Sequence, residues 1–179
     1  MPTRTFFLLP FVFFLCLFPT FGHAFCFAEA ASRFSEYGVD KSLLEAIARV
    51  ESGLNASAIN KNANGTEDIG VMQINTSWLP SLKRFGIRRR DLLDPCVNVH
   101  VGAWVLAQNL YKFGPTWRAI GAYNARSEEK MNLYVSKVWR QLNGPDKFDP
   151  PKKSRRDSAR DTSVRKTGGL TPSQTNLGY

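Results

Sequence analysis

One carboxylate in the sequence, Glu51, is spaced so that it could act as a general acid. It follows Leu44 by seven residues and Ile47 by four, so a helix would place all three side chains on one face. Burial among apolar groups disfavours the ionised carboxylate and raises its pKa. A carboxyl group that is still protonated near neutral pH can donate a proton in catalysis. The spacing fits equally a partly exposed Glu at a helix end, so it leaves both interpretations open.

Other catalytic chemistries have few residues to support them. After residue 24 the chain has one histidine, His100, and two cysteines, Cys26 and Cys96, which are too few for an ordinary zinc site. A serine triad would have to use His100, and the sequence has no nucleophile-elbow pattern of glycines. The segment 60–71 lacks the acidic residues that a calcium loop needs at its first and twelfth positions. We therefore expect carboxylate chemistry without a metal or a cofactor.

Three short segments occur in a fixed order around this carboxylate. They are Glu51-Ser52-Gly53, Gly70-Val71-Met72-Gln73-Ile74-Asn75 and Gly121-Ala122-Tyr123-Asn124-Ala125. In this order and at these distances the segments resemble the signatures of the lysozyme-like lytic transglycosylases, which are related in fold to goose-type lysozyme. The resemblance covers about residues 26 to 142 and is strongest to the small specialised members that accompany secretion, conjugation and pilus machines. One departure is the segment 126–129, which replaces a glycine-containing turn.

The resemblance implies a mechanism and a set of site residues. Glu51 would be the sole catalytic acid and base. It would protonate the glycosidic oxygen between N-acetylmuramic acid and N-acetylglucosamine, and then take the proton of the muramic acid 6-hydroxyl as a 1,6-anhydro ring closes. Ser52 and Tyr123 would orient the glutamate or the sugar, while Met72 and Gln73 would contact saccharide. The implied substrate-binding or orienting residues are Ser52, Gly70, Val71, Met72, Gln73, Tyr123 and Asn124.

A single carboxylate is chemically sufficient for this reaction. Most glycosidases use two carboxyl groups, but a positioned hydroxyl of the substrate can replace water because its effective concentration is very high. Asp68 is the one spare acidic residue close to the three segments, and we expect it to be structural, as the cap of a turn. An essential Asp68 would favour a hydrolytic lysozyme. A non-catalytic, glycan-binding assembly factor is the alternative from a different class.

The elements that must position these residues are predicted from the spacing of apolar positions and from helix caps. Residues 25–143 predict a mainly α, lysozyme-like domain with a small irregular loop or hairpin region at 54–70. The predicted helices are a short one ending at Gly38, one from Asp40 to Gly53, one near Trp78 to Leu82, one from Val97 to Phe113, a short one carrying Tyr123 and Asn124, and one from Met131 to Leu142.

The N-terminus predicts export. Arg4 is the only charged residue before an apolar run from Phe6 to Phe18. The small residues Gly22 and Ala24 occupy the two positions that a signal peptidase recognises. This is the pattern of a signal peptide, and about a dozen apolar residues are too few to span a bilayer of roughly 30 Å. We expect a signal peptide at 1–24, cleavage after Ala24 and a periplasmic protein.

Two cysteines remain after that cleavage. In an oxidising compartment, the pair Cys26 and Cys96 predicts one disulfide that ties the first helix to the middle of the domain. The alternative makes Cys26 a nucleophile with His100 as its base.

The composition changes at Gly144. Residues 144–179 have eight Lys or Arg against four Asp, which gives +4 of the net charge of +9, and few apolar residues. This predicts a disordered basic tail. A basic protein suits an anionic partner, and the tail lacks the interleaved aromatic residues that stack on single-stranded nucleic acid. We expect a monomer that binds peptidoglycan glycan strands and components of a secretion, conjugation or pilus apparatus, but no nucleic acid.

Overall fold

The computed structural model describes residues 25–144, so the predicted signal peptide and the predicted tail beyond Gly144 lie outside the described residues. The described part is mainly helical, which confirms the predicted fold class. No helix in it is long and apolar enough to cross a membrane. Its helices are α1 (Phe27–Arg33), α2 (Lys41–Ser52), α3 (Leu79–Leu82), α4 (Pro95–Phe113), α5 (Trp117–Gly121) and α6 (Glu128–Asn143), with 3-10 turns at Ser35–Tyr37, Thr76–Trp78, Lys83–Phe85 and Arg89–Leu93.

Helix α2 carries the candidate acid in its last turn. The Asp40 carboxylate accepts hydrogen bonds from the backbone N–H groups of Ser42 and Leu43, which fixes the start of the helix. Gly53 ends α2 in the left-handed conformation with φ of 62°, which costs glycine little. Both ends confirm the boundaries predicted from the sequence.

Helix α4 forms the centre of the domain. Asp94 caps it, and Pro95 occupies its first turn. The spacing of Val97, Val101 and Trp104 predicts one apolar stripe on this helix. The structure instead buries α4 on nearly every side, including Asn98 and His100. The reason is that α1, α2, α5 and a sheet strand all pack around it. The stripe prediction was therefore too narrow.

A small antiparallel sheet forms the wall opposite the helices. Its strands β1 (Ile59–Lys61) and β2 (Glu67–Ile69) make the hairpin that was one of the two alternatives for residues 54–70. A third strand, β3 (Ile74–Asn75), pairs with β2 and was not predicted. Helix α5 ends at Gly121, so Tyr123 and Asn124 lie in the turn that follows it and not on the helix itself.

The two cysteines are joined. The disulfide between Cys26 and Cys96 connects the N-cap of α1 to the first turn of α4, which confirms the predicted pairing. Because both sulfur atoms are in this bond, Cys26 offers no thiol, and the nucleophile alternative is wrong. The ring Nδ1–H of His100 donates to the carbonyl of Cys96 at 2.9 Å, so this histidine supports α4.

Candidate active site

A cleft of about 690 Å³ opens between the sheet and the helices, with Glu51 in its wall. The sheet side presents amide and hydroxyl groups, while one apolar side is formed by Ile74, Trp78 and Val105. Such a lining offers many donors and acceptors with little charge, which suits a ligand rich in hydroxyl and amide groups. The polar residues of the lining are Asn60, Asn62, Asn64, Thr66, Asp68, Gln73, Asn75 and Asn124.

The Glu51 carboxyl is held at one oxygen and open at the other. The Tyr134 hydroxyl donates to its Oε1 at 2.6 Å. Within residues 25–144 no hydrogen-bond donor reaches Oε2. The pKa of Glu51 is raised to about 7, mainly by burial. The hydrogen bond from Tyr134 lowers this pKa, the negative charge of Asp68 raises it, and the positive charge of Lys137 lowers it. At neutral pH the carboxyl is therefore populated in both its acidic and its basic form.

Tyr134 is the site residue that the sequence analysis missed. The spacing of Tyr134, Val135 and Val138 fits the apolar stripe of the last predicted helix, and the Tyr134 ring is indeed buried at 4% exposure. Its hydroxyl, however, points at Glu51 and not into the core. A usable signal was present, because a buried tyrosine, unlike phenylalanine, needs a hydrogen-bond partner for its hydroxyl.

Replacing Tyr134 by Phe should lower the rate of glycan cleavage about 10- to 100-fold, since a hydrogen bond to a charged group is worth roughly 1.5–3 kcal/mol. The same change should raise the pKa of Glu51 further, because the lost hydrogen bond lowers it. The measurement is the pH–rate profile of the variant beside wild type. A lower rate with an unmoved profile would mean that Tyr134 only supports packing.

The segment from Gly70 to Gln73 is anchored by a buried asparagine that the sequence analysis did not identify. The Asn98 amide donates to the carbonyls of Ile69 and Leu92, both at 2.8 Å, and its oxygen accepts from the backbone N–H of Met72 at 2.7 Å. Gly70 has φ of +78°, and a Cβ there would lie 2.7 Å from the Leu92 carbonyl oxygen. The segment therefore requires glycine at this position.

Gln73 is the residue of this segment whose side chain lies in the cleft. Its Nε2 donates to the Gly70 carbonyl at 2.8 Å, and its Oε1 accepts from Asn60 at 2.6 Å. Val71 and Met72 are fully buried instead, and Met72 packs against Gly102. Met72 was expected to contact saccharide, but its side chain is buried and does not line the cleft.

Two predicted orienting residues hold the same segment through its carbonyls. The Ser52 hydroxyl donates to the Val71 carbonyl at 2.8 Å, which connects the end of α2 to this segment. The Tyr123 hydroxyl donates to the Met72 carbonyl at 3.1 Å. Neither hydroxyl bonds the Glu51 carboxyl. Asn124 is exposed and lines the cleft beside Glu51.

Asp68 lies in strand β2 and not at a turn, which corrects the predicted capping role. Its two oxygens accept from the side-chain amides of Asn62 at 2.9 Å and Asn75 at 2.7 Å. These bonds fix the Asp68 side chain and connect β2 to Asn75 in β3 and to Asn62, which follows β1. Asp68 thus acts on Glu51 through its charge, since it is one cause of the raised pKa of Glu51.

Wild-type activity should fall as the pH rises through about 7, because the protonated form of Glu51 is then lost. In an Asp68→Asn variant this alkaline limb should move to lower pH, since removing the neighbouring negative charge lowers the pKa of Glu51. Initial rates measured at several pH values test both statements. Loss of activity at every pH, in a variant that keeps the melting temperature of wild type, would instead give Asp68 a direct chemical role.

Comparisons with known proteins cover this whole region. Residues 26–137 match the transglycosylase SLT domain family. Protein IpgF of Shigella flexneri is 43% identical over 117 residues, which cover 65% of this chain and 75% of that protein. Invasion protein IagB of Salmonella typhimurium is 39% identical over 127 residues, 66% of this chain and 78% of that protein. In the solved structure of an inactive mutant of the lytic transglycosylase Slt from Pseudomonas aeruginosa, one chain is 21% identical with a TM-score of 0.46, over 70% of this chain and 26% of that one.

Proposed function

The chain belongs to the transglycosylase SLT domain family and is a peptidoglycan lytic transglycosylase, and we propose that Glu51 is its single catalytic acid and base. The observation that carries the proposal is the half-buried Glu51 carboxyl, which has one oxygen fixed by Tyr134 and the other free in a polar cleft. Among the described residues that line this cleft, Asp68 is the only other carboxylate, and amide donors engage both its oxygens.

The first step is proton donation. A glycan strand in the cleft places the β-1,4 bond between N-acetylmuramic acid and N-acetylglucosamine beside Oε2 of protonated Glu51. This proton passes to the glycosidic oxygen as the bond from that oxygen to muramic acid C1 breaks, so N-acetylglucosamine leaves with a new hydroxyl. Tyr134 holds the carboxyl in place during the transfer and stabilises the carboxylate that forms. The N-acetyl group of the substrate can stabilise the electron-poor C1.

The second step returns the proton to the enzyme. Ionised Glu51 takes the proton of the muramic acid 6-hydroxyl as that oxygen bonds to C1 and closes the 1,6-anhydro ring. Glu51 is then protonated again, and no water is consumed. A pKa of about 7 serves both steps, because the group neither holds nor releases its proton too strongly at neutral pH.

Product analysis tests this proposal. The chain from residue 25 to residue 179 is incubated with purified peptidoglycan, and the released muropeptides are examined by mass spectrometry. Anhydro-muropeptides, lighter by one water than hydrolysis products, are the expected result. Reducing-end products would assign the enzyme to the lysozymes and return attention to Asp68. Binding to peptidoglycan without any release of fragments would favour the non-catalytic assembly factor.

The setting of this reaction is proposed to be the periplasm, where the enzyme opens the wall locally for a secretion, conjugation or pilus apparatus. The signal-peptide pattern of residues 1–24 supports export. The resemblance of the three signature segments to the specialised family members that accompany such machines supports the role beside an apparatus, and one similar protein, IagB, is named an invasion protein. Fractionation of cells should recover a protein that begins at Phe25 in the periplasm. A cytoplasmic protein that still carries residues 1–24 would contradict this placement.

A further inference from the structure

A second cavity, of about 240 Å³, lies against Glu51 on the α6 side of the main cleft. Both cavities include Glu51 and Asn124 in their linings, so the groove continues past the catalytic carboxyl. A glycan strand cleaved at Glu51 must extend on both sides of it. The mechanism above leaves this second cavity, which we call the α6 pocket, without a role.

The α6 pocket is cationic and partly apolar. One stripe of the helix, at spacings of three, four and seven residues, supplies Lys130, Leu133, Tyr134 and Lys137. Seven residues separate the two lysines, which is about 10 Å along the helix axis. Leu133 lies between them and is 60% exposed, the most exposed large hydrophobic residue in the described part of the chain.

Neither Lys130 nor Lys137 forms an ion pair with a carboxylate within residues 25–144. The one carboxyl group in the lining of the pocket is Glu51 itself. The pocket therefore presents two ammonium groups and an exposed leucine to whatever occupies the groove beside the cleaved bond.

The substrate carries complementary groups at this point. The sugars of a glycan strand are neutral, but the lactyl group of N-acetylmuramic acid bears a short peptide with several free carboxylates and alanine methyl groups. We propose that the α6 pocket binds this peptide, with Lys130 and Lys137 pairing with its carboxylates and Leu133 contacting its methyl groups. This inference rests on the proposed function, and it makes the enzyme selective for glycan that still carries its peptides.

The test compares two forms of one substrate. Soluble, uncross-linked glycan strands are used with their peptides attached, or after an amidase has removed the peptides. Wild type should have a kcat/KM about 5- to 10-fold higher on the peptide-bearing strands, as expected for two partly exposed ion pairs. A Lys130→Gln and Lys137→Gln double variant should lose this preference and cleave the two substrates with kcat/KM values within about 2-fold of each other. The corresponding double arginine variant should keep the preference.

Two controls separate recognition from general charge effects. Lys41→Gln removes the same charge ten residues before Glu51 on α2, about 15 Å away along the helix, and should change neither rate. Lys137 also lowers the pKa of Glu51, so every rate is taken from a full pH profile. Because that effect acts on both substrates alike, it cannot produce a change in preference.

The outcomes distinguish this inference from the proposed function. Equal cleavage of both substrates by wild type, or an equal loss on both in the double variant, would overturn peptide recognition and leave the transglycosylase intact. Wild type that releases no anhydro products from either substrate would overturn the proposed function, and peptide recognition with it.

Discussion

A Glu51→Gln variant should release anhydro-muropeptides at least about 1,000-fold more slowly than wild type, because one side chain performs both proton transfers and each is worth roughly 100- to 10,000-fold. Glutamine keeps the shape of the side chain and can still accept the hydrogen bond from Tyr134. It can neither donate an acidic proton to the glycosidic oxygen nor remove one from the 6-hydroxyl.

The same variant should fold and be at least as stable as wild type. Burial raises the pKa of Glu51 from 4.5 to about 7, so the native protein binds a proton that the unfolded chain has released. Wild type therefore loses stability as the pH rises between these two values, whereas a neutral glutamine does not. The melting temperature of the variant relative to wild type should rise over this pH range and level off above it.

The matched control is Glu45→Gln, six residues earlier on α2, where the carboxylate pairs with Lys41 at the surface. This change should leave the rate of cleavage unaltered. If Glu51→Gln retained more than about a tenth of wild-type activity, a second group would have to perform the proton transfers.

Removal of the disulfide should lower the free energy of unfolding by about 4 kcal/mol, which for a domain of this size is a large part of its total. The bond spans 70 residues of sequence, and a loop of that length restricts the unfolded chain strongly. Urea unfolding of a Cys26→Ser and Cys96→Ser double variant provides the value. Reduced wild type should unfold at the same urea midpoint as the double variant, and the reductant should not change the midpoint of the variant. A loss below about 1 kcal/mol would show that α1 is held by packing alone.

Features that depend on neighbouring residues were predictable from the sequence. Asp40 and Gly53 fix both ends of α2 through backbone groups within a few residues of each. Glu51 could be placed on the buried face of that helix because helical periodicity is local. The three signature segments then supply six of the fourteen residues that line the cleft.

The missed features depend on contacts between distant parts of the chain. The hydrogen bond from Tyr134 to Glu51 joins residues 83 positions apart, and Asn98 reaches back 26 residues to Met72. Strand β3 has two residues, too few for a pattern to show. Met72 belongs to a signature segment, yet its side chain is buried and packs against Gly102. Spacing in the sequence contains no information on such directions.

The claim that one carboxylate and a substrate hydroxyl complete the reaction is tested most directly by the fate of solvent oxygen. Peptidoglycan is digested by residues 25–179 in water labelled with heavy oxygen, and the new muramic acid ends are analysed by mass spectrometry. We expect 1,6-anhydro ends that contain no heavy oxygen, because the 6-hydroxyl supplies the atom bonded to C1. One heavy oxygen at C1 of each new end would show that water attacks there, and would contradict the claim.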